Sequence, residues 1–139
     1  MNNLIDKLVE AQKYAISIRP KIGGFPYLAE VLCQAGVKRN LWSLPSCQSI
    51  YLMDGGNIVQ QGNPLFIDVQ EIPKFNQEAL IIALRIDQAG KGTFPEFLQS
   101  AWRAGVVSYN VDFMNRKVTY YGVLGEIYVE EYSAVEIKK

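Results

Sequence analysis

The sequence predicts an α+β fold built by tandem duplication. A helix followed by a three-stranded antiparallel meander is stated twice, each copy preceded by a longer helix, and the whole shares one core. Three observations carry this. The stretch FPYLAEVLCQAGV, starting at Phe25, returns sixty-nine residues later as FPEFLQSAWRAGV, starting at Phe94. After the glycine near the end of each stretch, apolar residues stop recurring at helical spacing and begin to alternate. A longer run of helical periodicity stands before each copy.

The first long helix falls in MNNLIDKLVEAQKYAISI, where Leu4, Leu8, Ala11, Ala15 and Ile18 recur at intervals of three and four and mark one apolar face. The short helix that follows has Gly24 as a weak N-cap and Pro26 in the first turn, where proline is tolerated. It stops at Gly36, a left-handed C-terminal glycine with Val37 folded back on the last turn. VKRNLWSL, SIYLM and NIVQQ then read as three short strands, broken by the turn-rich PSCQ and DGG. QGNPLFIDVQEIP crosses to the second half and offers Leu65, Phe66, Ile67 and Val69 for burial.

The second long helix spans residues 74–88 and is apolar on more of its circumference than the first, which predicts a deeper position. The second short helix has a full capping box, Thr93 with Glu96 three residues on, and Pro95 beside it. It ends at Gly105 as its counterpart ends at Gly36. VVSYNVDF, KVTYYG and EIYVEEY form the second meander, with MNR and VLG as turns.

Setting residues 25–59 against 94–128 without a gap gives eight identities: Phe25/Phe94, Pro26/Pro95, Ala35/Ala104, Gly36/Gly105, Val37/Val106, Tyr51/Tyr120, Gly56/Gly125 and Ile58/Ile127. Chance supplies about two over such a length. Each half alone is of a size at which one small core rarely supplies more than about 3–5 kcal/mol. The expectation is therefore a single domain over residues 1–139, with pseudo-repeats at about 1–69 and 70–139 related by an approximate twofold axis.

Composition excludes several function classes. Fourteen basic residues balance fourteen acidic ones. No global field draws the chain onto nucleic acid or an anionic membrane, and the small group Arg19, Lys21, Lys38 and Arg39 reads as solvated surface. The longest apolar run, ALIIAL at residues 79–84, is too short to span a bilayer. The first helix, broken by Asp6, Lys7, Glu10 and Lys13, lacks the continuous core of a signal peptide. Two cysteines, Cys33 and Cys47, fit a reducing compartment, so a soluble cytoplasmic protein is expected.

The absence of histidine removes Ser-His-Asp and Cys-His nucleophile systems and most zinc sites. Neither a G-x-x-x-x-G-K-[ST] nor a G-x-G-x-x-G loop is present, and KIGG and DGG read as turn glycines. Cys47, in LPSCQSIY, lacks a neighbouring cation that would lower its pKa and reads as a hairpin-turn residue aligned with Arg116. Cys33, aligned with Trp102, reads as a small core residue. Among the acids Asp112, Glu126, Glu130 and Glu131, paired carboxylates would serve a hard cation or acid–base work only within a shared cleft. Strand-edge acids more often face solvent. No catalytic residue, metal site or cofactor is assigned.

Aromatic residues are unevenly placed. Tyr109, Tyr120, Tyr121, Tyr128 and Tyr132 fall in the second meander, against Trp42 and Tyr51 in the first. Tyr120 and Tyr121 must point to opposite faces of their strand. A tyrosine-bearing sheet face suits docking because such rings give large contact area at little entropic cost.

RPKIGGFPYLAEVL, LPSCQSIYL, DQAGKGTFPEFLQSAWRAGV and VTYYGVLGEIYVEEY together resemble the YbcV-like bacterial and prophage-associated family, whose members are often labelled phage envelope proteins. The resemblance implies a small α+β protein without an established activity, of prophage origin, and it supplies no site residues to carry over. The reading that follows is a non-enzymatic self-association or protein-interaction module that docks through the tyrosine-rich meander or an exposed strand edge. The alternative is a small-molecule binder or enzyme with a pocket at the seam between the repeats, lined by Arg19, Trp42, Cys47, Asp112, Arg116 and Glu126. Tyr120 and Tyr121 complete the candidate binding residues. A third reading makes Cys47 a reactive thiol.

Overall fold

A computed structural model describes residues 3–137. Helix α1 (Leu4–Ile18) starts where the Asn3 side chain accepts the Asp6 amide at 2.8 Å. Helix α2 (Phe25–Gln34) leads through Gly36 into strands β1 (Val37–Ser43), β2 (Gln48–Met53) and β3 (Gly56–Gln61). The second half repeats the plan with α3 (Gln77–Gln88), α4 (Phe94–Arg103), β4 (Val106–Asp112), β5 (Lys117–Gly122) and β6 (Ile127–Glu131). The expected capping box is present, with Thr93 Oγ1 accepting the Glu96 amide and Glu96 accepting the Thr93 amide.

The two meanders join as one six-stranded antiparallel sheet in the order β3-β2-β1-β4-β5-β6. The join is itself symmetric. Leu41 of β1 lies opposite Asn110 of β4, and these two are sixty-nine residues apart, so the approximate twofold axis passes between them. The symmetry reaches fine detail. Register breaks fall at Val37/Arg39 and again at Val106/Ser108. The Leu44 amide donates to Val107 at 3.0 Å, and its counterpart on Phe113 donates to Lys38 at 3.2 Å. Cys47 and Arg116 hold left-handed backbone at φ 54° and 53°.

The helices cover one face of the sheet. Beneath them lie Leu44, Tyr51, Met53, Tyr109, Val111, Phe113, Val118 and Tyr120, packed with Leu8, Leu32, Leu80, Leu84, Phe97 and Trp102 from the helices. The other face carries a row that register places side by side across all six strands: Val59, Ile50, Leu41, Asn110, Thr119 and Val129.

The structure departs from the sequence expectation in four places. Helix α3 begins at Gln77 rather than residue 74, because the Asn76 side chain accepts the Ala79 amide at 3.0 Å and caps the helix there, while Phe75 stays outside and packs against Gly122. Helix α3 is somewhat deeper than α1, burying Leu80, Ala83 and Leu84 where α1 buries Leu8 and Ala15, but its apolar circumference is not all covered, since Ile82 and Ile86 stand in solvent. In the crossing segment Leu65 and Phe66 pack on the core, but Ile67 and Val69 are 96% and 98% exposed. The last strands are offset by one residue from the gapless alignment. Tyr51 faces Ile58 but Tyr120 faces Tyr128, because the β5–β6 turn is longer than the Asp54–Gly55 turn. Ile58 and Ile127 therefore share an identity but not a position.

Candidate functional site

The eight residues marked by sequence do not converge. Arg19 is exposed at the end of α1, within electrostatic reach of Asp87. Trp42 lies under the helices, stacked on Tyr109 at 5.9 Å and edge-on to Phe94 at 5.3 Å. Cys47 is buried in the β1–β2 turn, where its thiol donates to the Leu44 carbonyl and burial pushes its pKa up. That is the opposite of what a nucleophile requires. Cys33 is half-buried at the rim of the core, and burial and then Glu30 push its thiol up as well.

Asp112 serves the β4–β5 turn. Burial pushes its carboxyl up, but bonds from the Asn115 side chain and amide outweigh it, aided by the Arg39 charge at 3.3 Å, and leave it below the ordinary carboxylate range. Arg116 is exposed in the same turn. Glu126 accepts the Leu124 amide at 3.0 Å and shapes the β5–β6 turn. The seam that was expected to hold a pocket is closed on the sheet by the hydrogen-bonded β1–β4 pair.

The tyrosines also fall differently from the docking surface expected of them. Tyr109 and Tyr120 are buried beneath the helices, with rings 5.6 Å apart, and Tyr128 and Tyr132 face the same way. Tyr121 alone lies on the open face, between Ser108 and Ile127. Alternation explains this, because residues two apart share a face: Tyr109 takes the covered face of β4 with Val111, Tyr120 that of β5 with Val118, and Tyr121, next to Tyr120, is left on the open one.

What the structure brings together instead is a contrast between its two outer edges. At the second-repeat edge, Glu130 on β6 accepts from Arg85 and, at 3.0 Å, from Gln88 on α3, and at 2.6 Å from the Tyr128 hydroxyl. Burial pushes the Glu130 carboxyl up, but these hydrogen bonds outweigh it and hold it below the usual glutamate range. Glu78 and Glu131 add further charge along that side.

At the first-repeat edge the corresponding positions carry no charge. Gln60 stands where Glu130 stands and bonds to Gln12 of α1 at 3.0 Å. Ile16 takes the place of Arg85 and Val9 that of Glu78, sixty-nine residues apart in each case. Val59 and Ile16 are each 61% exposed, and Ile5 is 58% exposed. A groove of ≈ 500 Å³ runs between Leu4, Ile5, Ile58 and Val59.

Residues 19–131 match the model of a family described as a protein of unknown function, DUF1398. The chain belongs to that family. Its similarity extends to uncharacterized proteins of Mycobacterium tuberculosis (strain ATCC 25618 / H37Rv) and Mycobacterium bovis, each 50% identical over 136 residues, which is 98% of this chain and 83% of theirs. The DUF1398 description names neither an activity nor a phage envelope, so the functional argument falls to the residues themselves. None of the described helices is long and apolar enough to cross a membrane. Sequence reasoning passed over Ile5, Ile16 and Val59 because each is an ordinary apolar residue alone. The signal that finds Ile5 and Ile16 is the loss of charge against Lys74 and Arg85 in the second copy, whereas Val59, whose counterpart Val129 is also apolar, is found by the strand order that makes β3 terminal.

Proposed function

We propose that this DUF1398 protein is a non-enzymatic module that works by associating with a second copy of itself, in the cytoplasm that its two free cysteines suit. The observation that carries this is the contrast between dispersed polar candidates and concentrated apolar surface. Asp112, Glu126 and Glu130 are engaged in turns and in an ion pair, whereas Ile5, Ile16 and Val59 crowd one uncharged edge. A neutral edge in a chain of zero net charge does not select a charged partner, and a copy of the same surface matches it. The prophage ancestry suggested by the residue resemblance is compatible with a small assembly unit. Sedimentation across a hundredfold concentration range tests the proposal. Mass action should shift the population toward a species heavier than one chain, and a single 15.7 kDa species throughout would overturn it.

A second reading is favoured by Asp87. Burial pushes its carboxyl up, and it lines a groove of ≈ 220 Å³ between α3 and α4 with Phe97, Thr93 and Ser100. Such a site would take a small organic ammonium ion. Titration with alkylammonium ions tests it: amide shifts at Phe97 and Ser100 that vanish in Asp87→Asn would support the site, and their absence at millimolar concentration would dismiss it.

A further inference from the structure

We propose that two copies pair through the first-repeat edge, β3 against β3 and α1 against α1, across one twofold axis beside Val59. The inference rests on the self-association reading and adds the surface, the register and the stoichiometry.

The backbone decides which groups are available. Gly56 closes the two-residue hairpin against Met53, and the Gly62 amide donates to Cys47 at 2.9 Å in the same register. In an antiparallel ladder, residues that exchange hydrogen bonds with the neighbouring strand alternate with residues whose N–H and C=O point away. Gly56, Ile58 and Gln60 therefore bond to β2, and Asn57, Val59 and Gln61 present their backbone groups outward from the last strand of the sheet. A second β3, antiparallel and centred on Val59, sets Val59 opposite Val59 and Asn57 opposite Gln61. All three outward residues of each strand are then paired, and the sheet becomes twelve-stranded.

The helix layer reaches the same axis independently. Helix α1 rides along β3, since the Leu4 side chain comes within 3.0 Å of where a Cβ on Gly56 would stand and Gln12 bonds to Gln60. Eight helical residues rise about 12 Å and four strand residues about 14 Å, so the two elements keep step. The edge-ward stripe of α1 is Ile5, Val9, Gln12 and Ile16, at intervals of four, three and four, with Ile5 and Ile16 exposed and the Gln12 side chain turned down onto Gln60. Its midpoint, between Val9 and Gln12, therefore stands close to Val59. One rotation that pairs β3 with its copy also lays Ile5 against Ile16 and Val9 against Gln12 of the copy.

The area is small. An edge about 20 Å long and about 20 Å high covers about 400 Å² on each copy, about 800 Å² in total, the size of a weak, concentration-dependent interface to which the backbone ladder adds its hydrogen bonds. The assembly also closes. At the other edge, Glu131 and Glu130 on β6 and Glu78 and Arg85 on α3 would be dehydrated by the same pairing. One open edge per chain gives a dimer rather than a fibre.

The test uses light scattering and disulfide trapping on the full chain, with Val59→Lys, Thr119→Lys on the open sheet face, Val59→Cys and Val129→Cys on the opposite edge. Val59 is 61% exposed in the single chain, so its replacement leaves the fold intact, which circular dichroism verifies. The expected result is a native mass twice the 15.7 kDa of one chain, halved by Val59→Lys and unchanged by Thr119→Lys. Val59→Cys should cross-link at least about tenfold faster than Val129→Cys, because Cα atoms of a hydrogen-bonded pair lie about 5.5 Å apart, within disulfide reach. A native dimer that survives Val59→Lys and cross-links no faster at position 59 would overturn this interface while leaving self-association standing. A native monomer at the highest soluble concentration would overturn both.

Discussion

Alanine at the two helix-stop glycines should have unequal effects although the glycines are equivalent by symmetry. Gly36 has φ 100° and Gly105 φ 88°, so each substitution incurs the cost of a Cβ in left-handed backbone, about 1–2 kcal/mol. The surroundings then diverge. The three atoms nearest a Cβ at Gly36 all belong to the Asp54 side chain, Oδ2 at 3.3 Å, and Asp54 is an exposed residue paired with Lys38 that can rotate away. A Cβ at Gly105 stands 2.5 Å from both N and Cα of Phe75 and 2.6 Å from the Lys74 carbonyl carbon. Backbone must move there, and the Asn76 amide bond to Ala104, at 2.7 Å, moves with it. Gly36→Ala should cost about 1–2 kcal/mol and Gly105→Ala on the order of 4 kcal/mol, as expected when strain and overpacking combine. Urea unfolding at one fixed protein concentration measures the difference, the fixed concentration being needed because association adds to apparent stability. Equal losses, or a larger loss at Gly36, would refute the reasoning.

Three further outcomes follow from side-chain environments. Thr93→Ala removes the capping box of α4 and should lower stability by about 1 kcal/mol in the same assay. Both thiols are pushed up by burial, so iodoacetamide at pH 8 should modify native Cys33 and Cys47 more slowly than free cysteine, with the buried Cys47 the slower; modification of Cys47 at the free-cysteine rate would revive a reactive thiol. Because the folded state holds the Glu130 carboxyl below its unfolded value, its contribution is present above the ordinary glutamate range and fades as pH falls through the depressed folded value. Unfolding followed from pH 6 to 3 should therefore show a smaller acid-induced loss in Glu130→Gln than in the native chain.

The architecture was readable from sequence because its punctuation repeats. Gly36 and Gly105, Pro26 and Pro95, and the change of period after each glycine place helices and strands within a residue or three of where they lie. The exceptions have local causes: Asn76 outcompetes residue 74 as a helix start by offering a cap, and an extra turn residue shifts β6 against β3. The meeting of the meanders at Leu41 and Asn110 was not readable, since alternation predicts strands and leaves their order open. The site was harder still. Conspicuous residues such as Cys47, Asp112 and Tyr120 proved to be turn and core residues. The edge formed by Ile16, Gln60 and Val59 emerges only when strand order makes β3 terminal and the equivalent Arg85 and Glu130 are set beside it.

Amide hydrogen exchange at Asn57, Val59 and Gln61, followed as a function of protein concentration, tests the edge-paired dimer most directly. These three amides point away from β2 and, among the described residues, have no strand partner in the single chain. The account predicts protection that grows with concentration at these three positions, while Ile58 and Gln60, already bonded within the sheet, change little. Fast exchange at Asn57, Val59 and Gln61 at every concentration, in a sample whose mass is that of a dimer, would contradict it.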